Sequence, residues 1–401
     1  MKKRAVKTKK AGLVTRSEAL QKQLVNWRRD FHQYPELSFQ EKRTSEKVLS
    51  VLQNQKAYSI DTGVGGYGII ATLKNGEGPT IGLRADMDAL PIGGQSYRPW
   101  SSKTPGVMHA CGHDAHTAIL MGVSLLLAED AAKDQFKGTV KLIFQPAEES
   151  CDENGETGAL KMLHSGKLDD LDAVLALHMC PWRQTGEIQY HDGPSMANND
   201  EFHLTIKGSG GHAGYPHHVQ DPIWMATYIL QALYSCNGRK VDPLEVGTIS
   251  VGQIHAGEAN NVIPHEVEIK GTMRSYTDEV REKLITEIHR IANIVTALGG
   301  GHDLRIFKGE PALLNDSSIN EIIRKSAGSM KIYNEPFGMG SEDFSHFTRQ
   351  TPGAMFFLGC ALENERKLHR PDFDIDEAAM VDGVRILMES TYRLLERGGE
   401  E

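Results

Sequence analysis

The segment Met108–His116 concentrates side chains that bind transition-type divalent metals. It holds one thiol, three imidazoles and one carboxylate, and a single glycine separates Cys111 from His113. Thiolate and imidazole groups are typical ligands of zinc and similar metals. A predicted helix begins here, and the positive end of its dipole favours a thiolate. The alternative is that Asp114 only caps this helix and the histidines share no role.

Two adjacent carboxylates, Glu148 and Glu149, follow the apolar run Val140–Phe144. Such a pair can divide two tasks, because one group can bind a metal while the other takes a proton from an attacking water. A charged helix start is the alternative interpretation, since acidic residues are common in the first turn of a helix.

Two single histidines complete the set of candidate ligands. His178 follows the apolar run Ala173–Leu177, and His369 lies in the loop-like segment Lys367–Pro371. Taken separately, each is more typical of a histidine with ordinary polar contacts than of a metal ligand, because short motifs match by chance.

Together the four segments supply five ligands: Cys111, His113, Glu149, His178 and His369. Five ligands are awkward for one tetrahedral metal and suit two metals that share a group. If the thiolate bridges, and a water bridges as well, each metal reaches about four bonds. Two metals that share a water generate a strong nucleophile near neutral pH.

The surrounding elements predict how these residues meet. Three apolar runs are typical of buried strands and alternate with helical runs: Thr80–Ala85, Ala115–Glu129, Val140–Phe144, Gly158–His164 and Ala173–Leu177. This alternation predicts an α/β fold with a mostly parallel sheet. Polar side chains follow all three strands, and such sheets place their sites at the carboxyl ends of strands. We therefore expect one shared site.

The pattern changes after Thr185. Strand, helix, strand, strand and long helix are predicted in turn at Glu201–Lys207, Pro222–Tyr234, Val246–Ile254, Val267–Tyr276 and Thr277–Leu298. This β-α-β-β-α order predicts a small α+β satellite domain that interrupts the large one. We assign 1–15 to a disordered basic tail, 16–185 and 303–401 to the catalytic domain, and 186–302 to the satellite domain.

Composition excludes several classes of protein. The 401 residues carry a net charge of −9 with a pI near 6.0, which argues against nucleic acid as a partner. We find no apolar stretch of the ~20 residues that a membrane span needs. The five cysteines are odd in number and show no framework spacing. We therefore expect reduced thiols and a cytoplasmic location.

Motifs along nearly the whole chain, from about Leu24 to Leu395, resemble a known family. This family is the dinuclear amidohydrolases that include hippurate hydrolases, bacterial N-acyl-amino-acid deacylases and plant auxin-conjugate hydrolases, relatives of aminoacylases and glutamate carboxypeptidases. The motifs are Arg28–His32, Pro35–Leu37, Leu83–Pro91, Met108–His116, Pro146–Glu149, Gly210–Ala213, Asn261–Pro264, Gly271–Ser275 and Ser341–Phe344.

The resemblance implies roles for the matching residues. The five candidate ligands match the family's metal ligands, and Glu148 matches its general base and later acid. His212, on the satellite domain, matches a residue that stabilises the oxyanion, in its own site or in that of a neighbouring subunit. Asn261 and Arg274 match positions suited to hold the substrate carboxylate, for which a guanidinium offers a planar fork of donors.

We therefore predict a hydrolase that cleaves the amide bond of N-acyl-amino acids. It would use two divalent ions per chain, which these ligands allow to be zinc, manganese, cobalt or nickel. A dipeptidase or carboxypeptidase with the same site is the alternative activity. A metal-dependent binding protein with an inactive site and a structural zinc protein are alternatives from other classes. An exposed edge of the satellite sheet could pair with a second copy, giving a homodimer or homotetramer.

Overall fold

The computed structural model describes residues 12–95, 98–364 and 366–397, which fall into two compact units. The large unit takes the described residues of Met1–Gly193, Leu314–Pro336 and His346–Glu401. The small unit takes Pro194–Leu313 and Phe337–Ser345. The small unit thus interrupts the large one in sequence.

The elements follow one another in the order expected of an α/β chain with an α+β insertion. The helices are α1 (12–19), α2 (Gln21–Gln33), α3 (Lys42–Gln55), α4 (His113–Ala132), α5 (Gly158–Leu163), α6 (Pro222–Ser235), α7 (Asp278–Ala292), α8 (Ile294–Ala297), α9 (Ser317–Ala327), α10 (Phe344–Gln350) and α11 (Ala379–Arg397). The strands are β1 (Ser59–Val64), β2 (Gly68–Asn75), β3 (Thr80–Asp86), β4 (Gly138–Gln145), β5 (Ala173–Cys180), β6 (Glu187–Tyr190), β7 (Gly193–Met196), β8 (Asp200–Lys207), β9 (Gly211–His212), β10 (Gly247–Ala256), β11 (Val262–Ile263), β12 (Glu266–Ser275), β13 (Gly301–Lys308), β14 (Leu313–Asn315), β15 (Lys331–Asn334) and β16 (Gly353–Gly359).

The large unit is built on an eight-stranded sheet in the order β1-β2-β4-β3-β5-β16-β6-β15. Its central strands β4, β3, β5 and β16 pair in parallel, and antiparallel pairs occur towards the edges. All eight residues of β5 are buried, as expected for a central strand covered on both faces. The predicted mostly parallel α/β class is confirmed.

Helix α4 packs in the core of the large unit. It is long and apolar enough to cross a membrane by length and composition, although we expected no such stretch. Its apolar residues occur on every side, and 72% of the apolar window is buried within the protein. A helix that is apolar all round suits the interior of a large domain, and that is its place here.

The small unit contains a four-stranded antiparallel sheet in the order β10-β12-β8-β13. Helices α6 and α7 provide its core, with Met225 and Ile229 buried on one and Leu284 and Ile288 on the other. These residues recur at helical spacing, which gives each helix an apolar stripe towards the sheet. The predicted α+β architecture is confirmed, with β13 as an additional strand.

The unit boundaries differ from those we expected. Strand β6 pairs with β15 and β16 of the large sheet, so the large unit continues to Gly193 rather than ending at 185. Strand β13 pairs with β8, so the small unit continues past 302 to Leu313. The predicted tail also changes: 1–11 lie outside the described residues, whereas 12–15 belong to helix α1, because Leu13 is buried in the core.

Candidate metal centre

The five candidate ligands come from four separate places in the large unit. Cys111 precedes α4 and His113 is the first residue of that helix, whereas we expected the helix to begin at Ala115. Glu149 lies in the turn after β4. His178 lies within β5 rather than after it, and His369 lies in the loop after β16 with a positive φ of 59°.

A glycine allows this arrangement to be compact. Gly112 has a φ of 100°, a conformation that other residues rarely adopt. A side chain there would also meet Met179, since a Cβ atom would lie 3.0 Å from the Met179 Cβ. Glycine therefore lets the thiol and the first imidazole of α4 approach the end of β5.

The Cys111 sulfur lies between two imidazoles. Its Sγ is 3.4 Å from the Nε2 atoms of both His178 and His369. Glu149 Oε1 is 3.3 Å from His369 Nε2 and 3.9 Å from His113 Nε2. The donor atoms form two groups, Cys111 with His113 and His178, and Cys111 with Glu149 and His369, each spanning at most 4.8 Å. The structure thus brings all five residues together, with the thiol in both groups.

Two donor atoms in this cluster are buried without a hydrogen-bond partner in the described part of the chain. They are Nε2 of His113 and Oε1 of Glu149. A buried polar atom normally has a partner, because burial without one costs about 1–3 kcal/mol. A divalent cation would supply that partner, and the thiol, imidazole and carboxylate donors suit a transition-type ion. The residues therefore fit a metal centre.

Hydrogen bonds orient the imidazoles so that Nε2 faces the cluster. His113 Nδ1 lies 2.9 Å from the carbonyl oxygen of Asp88, and His178 Nδ1 lies 2.9 Å from that of Met179. Each Nδ1 therefore donates its proton to a carbonyl, so Nε2 is the nitrogen that faces the cluster and that binds a metal once it carries no proton. Through its carbonyl, Asp88 therefore supports the orientation of His113.

His116 supports the centre through contacts with the ends of β3 and β5. Its Nδ1 lies 2.7 Å from Asp86 Oδ1, and its Nε2 accepts a hydrogen bond from the backbone of Met179 at 2.8 Å. Both nitrogens are thereby engaged, so His116 fixes the end of β5 beside His178. His116 lies one helical turn after His113, so it faces the same side of α4 and can support the centre from there.

Carboxylates dominate the electrostatics of the cluster. Burial lowers the pKa of His113, but Asp86, Asp88 and Glu149 outweigh burial and raise this pKa to about 10. Burial instead places the pKa of His178 well below its usual range. A buried site where carboxylates hold an extra proton on one imidazole has a surplus of negative charge, which favours a cation.

A second buried network consists of ion pairs that join α2 to the first turn of α4 and to the segment before α11. The guanidinium of Arg28 contacts Asp114 at 2.8 Å, Asp374 at 2.9 Å and Glu377 at 3.2 Å, and is fully buried. His32 Nδ1 lies 2.7 Å from the same Asp114 carboxylate. The Asp114 carboxylate therefore binds Arg28 and His32, and through these contacts it supports the first turn of α4.

We expect Asp114→Asn to lower the free energy of unfolding of the metal-free protein at neutral pH by about 3–5 kcal/mol, because it removes the charged partner that the buried Arg28 and His32 share. Burial raises the pKa of Asp114, but Arg28 and His32 outweigh it and hold the pKa below its usual range. A depressed carboxyl pKa stabilises the fold above the unfolded value of about 3.9 and ceases to do so as pH falls. The difference between variant and wild type should therefore shrink below about pH 4.

Urea unfolding followed by circular dichroism measures this difference. The matched control is Glu129→Gln, which removes an exposed partner of Arg16 and should cost less than about 1 kcal/mol. Equal effects of the two substitutions would contradict the role of the buried network.

His212 and Asn261 lie together in the small unit. His212 is in β9, where it pairs with Val262 of β11, and the backbone of Ala213 donates to the Asn261 carbonyl at 3.0 Å. The His212 ring is exposed, and its Nδ1 accepts from the backbone of Gly214 at 2.9 Å. The ring therefore remains accessible to a ligand through Nε2.

Arg274 lies elsewhere in the small unit, on β12 beside Asn199. Its guanidinium is partly buried, and burial lowers its pKa despite Asp200 and Glu201 nearby. Asp200 binds Arg281 instead, through both carboxylate oxygens. Within the described residues Arg274 makes no ion pair, and a partly buried guanidinium without an anion is suited to bind one.

Sequence patterns did not identify two buried groups near the centre. Glu41 lies at the start of α3, where a glutamate is common because the helix dipole favours negative charge. His109 is buried with both ring nitrogens unpartnered in the described part of the chain, and burial lowers its pKa to about 4. The position of His109 two residues before Cys111 suggests a functional residue. This spacing alone does not distinguish a metal ligand from a neutral buried imidazole.

Fold and donor cluster together define an α/β protein with a candidate dinuclear metal centre. The family described as "Peptidase family M20/M25/M40" matches residues 82–393. The chain belongs to this family, which confirms the resemblance seen in its motifs. Membership also makes the chain a hydrolase of amide bonds, as the sequence predicted.

Curated relatives and solved structures agree with this assignment. The chain is 38% identical to an "N-acetyl-L-cysteine deacetylase" of Bacillus subtilis, over 95% of this chain and 90% of that protein. It is 36% identical to a "Thermostable carboxypeptidase 1" of Saccharolobus solfataricus, over 88% and 91% of the two chains. A Bacillus subtilis structure titled a dinuclear metal-binding peptidase of the M20 family superposes with a TM-score of 0.82 at 33% identity, covering 94% and 99%.

Proposed function

We propose that this protein hydrolyses the amide bond of N-acyl-amino acids, using two divalent ions held by its five candidate ligands. The observation that carries the proposal is the thiol of Cys111, which belongs to two donor groups and can bridge two ions. The deacetylase and the dinuclear peptidase among its relatives support the same reaction and the same number of metals.

The ligand sets follow from the two groups. His113 and His178 would hold one ion with Cys111, while Glu149 and His369 would hold the other with the same thiol. When bound, such ions would lower the pKa of the attacking water and polarise the carbonyl of the substrate. Protein side chains then have to move the proton and stabilise the charge that develops.

Glu148 is positioned to move the proton. Its Oε2 lies 3.9 Å from His113 Nε2, so the carboxylate borders the donor cluster, and its side chain is about 10% exposed. A carboxylate in this place takes a proton from the attacking water and returns it to the leaving nitrogen. The exposed ring of His212 is proposed to stabilise the oxyanion as a hydrogen-bond donor.

The metal and the substrate are tested together. The metal-free protein is loaded with zinc, manganese, cobalt or nickel and assayed on N-acetyl-amino acids, N-benzoyl-amino acids and dipeptides. Preference for the N-acyl substrates supports a deacylase, and preference for dipeptides or longer peptides supports the peptidase suggested by the carboxypeptidase relative. Any metal-dependent turnover excludes an inactive scaffold and a purely structural zinc site, whereas inactivity with every metal and substrate contradicts the proposal.

We expect Arg274→Ala to raise KM for N-acyl-amino acids about 10–100-fold, because it removes a charged hydrogen bond of about 1.5–3 kcal/mol to the substrate carboxylate. The same variant should leave kinetics on the corresponding amino-acid amides little changed, since they lack the carboxylate. Steady-state assays on both substrate series measure the effect. Arg305→Ala, on strand β13 of the same sheet, is the control. A similar loss on acids and amides would show that Arg274 does not recognise the carboxylate.

We also propose a homodimer or homotetramer in a reducing cytoplasm. The small unit supports assembly, because β10 is an edge strand and α6 exposes Ile223, Trp224 and Tyr228. Four of the five cysteines are buried as free thiols and one is exposed, which suits a reducing compartment. Sedimentation velocity at micromolar concentration tests the assembly, and a monomer at all concentrations would contradict it.

A further inference from the structure

The segment Glu36–Glu41, which precedes helix α3, lies against the turns that carry the centre. Leu37 pairs with Ala89 in a parallel bridge, and the Ala89 backbone donates to the carbonyl of Glu36 at 2.8 Å. Ser38 Oγ donates to Asp88 Oδ2 at 2.7 Å. This segment therefore fixes the turn after β3 that supports His113.

The last residue of the segment, Glu41, reaches the turn after β4. Its side chain is 0% exposed, and its Oε1 accepts hydrogen bonds from the backbone of Ala147 at 2.8 Å and of Phe39 at 2.9 Å. Its Oε2 has no hydrogen-bond partner in the part of the chain that the structure describes. Burying a carboxyl group costs free energy, so a purely structural position would favour an apolar residue.

Ala147 has an unusual backbone conformation. Its φ is +49°, in the left-handed region, which costs a residue with a Cβ atom about 1–2 kcal/mol. Its carbonyl accepts from the backbone of Gly158 at 2.8 Å, and a Cβ on Gly158 would lie 1.6 Å from the Pro146 carbonyl oxygen. Both sides of this residue are therefore held, the N–H by Glu41 and the carbonyl by the start of α5.

The conformation of Ala147 determines where the next two side chains point. Glu148 and Glu149 follow it directly, and the backbone of Glu149 donates to Asp88 Oδ2 at 3.0 Å. If Ala147 adopted an ordinary negative φ, the chain would leave β4 in another direction and displace both carboxylates. Displacement of a reacting group by about 1 Å can cost about 100-fold in rate.

We propose that Glu41 is a positioning residue, which holds Ala147 in its left-handed conformation and thereby aims Glu148 and Glu149 at the metal centre. The tasks of the two aimed glutamates rest on the proposed function, whereas the role of Glu41 rests on the contacts above. To hold Ala147, the side chain at position 41 needs an oxygen atom that accepts a hydrogen bond from the Ala147 backbone. Burial, with Asp88 nearby, raises the pKa of Glu41 to about 7, so a fixed negative charge is not maintained near neutral pH.

The competing explanation is that Glu41 stabilises the first turn of α3. Glu41 is the N-cap residue of that helix, yet its side chain makes no capping hydrogen bond there. Glu36 does so instead, accepting from the backbone of Arg43 at 2.9 Å and of Thr44 at 2.8 Å. Glu36→Ala is therefore a matched control, since it weakens the same helix without removing a contact to the turn after β4.

The experiment compares Glu41→Ala, Glu41→Gln and Glu36→Ala in the full-length protein. Titration calorimetry of the metal-free protein with zinc and with manganese gives affinities, and hydrogen exchange reports on a peptide that covers 144–150. We expect Glu41→Ala to weaken metal binding or kcat about 10–100-fold and to speed exchange in that peptide. Glu41→Gln should behave as wild type, because its amide oxygen accepts the same hydrogen bonds. Glu36→Ala should lower Tm and leave metal affinity unchanged.

Wild-type affinity, kcat and exchange in Glu41→Ala would overturn the proposal, as would equal damage from Glu41→Gln. If Glu41→Ala does not fold, Glu41→Met restores the volume without the acceptor and carries the same expectations. Wild-type inactivity on every substrate would contradict the proposed function, while metal affinity and exchange would still test Glu41.

Discussion

Glu148→Gln is expected to keep both metals and to lose turnover by about 10²–10⁴-fold in kcat, the contribution typical of a general base. Glutamine has nearly the same shape as glutamate but cannot accept the proton of the attacking water. The distances make the experiment informative, because Glu148 Oε2 and Glu149 Oε1 both lie 3.9 Å from His113 Nε2. Glu149 is also 3.3 Å from His369, and for that reason we assign the metal to it and the proton to its neighbour.

Metal content by mass spectrometry and steady-state kinetics are both needed. Glu153→Gln is the control, since this glutamate is exposed in the same loop and should behave as wild type. Loss of one metal from Glu148→Gln would show that Glu148 is a ligand. Normal turnover in the variant would show that another group takes the proton.

Cys111→Ala should weaken the binding of both metals, because its sulfur lies 3.4 Å from both His178 and His369. The loss of affinity should exceed about 100-fold, since mutating a residue that only supports a ligand already lowers metal affinity about 10–100-fold. By contrast, His178→Ala and His369→Ala each remove a ligand from one group and should weaken one metal. Activity should follow occupancy in all three variants.

Titration calorimetry of the metal-free variants measures stoichiometry and affinity. Cys151→Ala is the control, since it removes an exposed thiol of the same chain. If Cys111→Ala lost one metal and bound the other normally, Cys111 would be a terminal ligand and the bridge would have to be another group.

The elements that local sequence signals did predict lie within a few residues of their observed bounds. Helix α6 begins at Pro222 as expected, because the Asp221 carboxylate accepts hydrogen bonds from the first free backbone N–H groups. Strand β13 was not predicted, since its residues alternate between partly buried and exposed without a strongly apolar face. Its pairing with β8 joins segments about a hundred residues apart, and local composition carries little information about such contacts.

The site was predictable in its residue types and less so in its supporting groups. Cys111, His113 and Glu148 belong to motifs whose composition indicates chemistry. Their convergence depends on the order of strands in the sheet, which places β5 next to β3 and β16. Glu41 had no usable signal, because its partner Ala147 lies 106 residues away and the contact is to a backbone group.

The contact between Cys111 and His369 joins positions 258 residues apart, and the entire small unit is encoded between them. An ion held by both residues, as proposed, would close this long stretch of chain into a loop. Because His369 is translated after the other four candidate ligands, the proposed centre could be completed only once residue 369 has been made. An ion that binds the folded chain stabilises it by about 4 kcal/mol at 1,000 times its Kd. Metal loading would therefore favour chains that extend past His369 over chains that end before it.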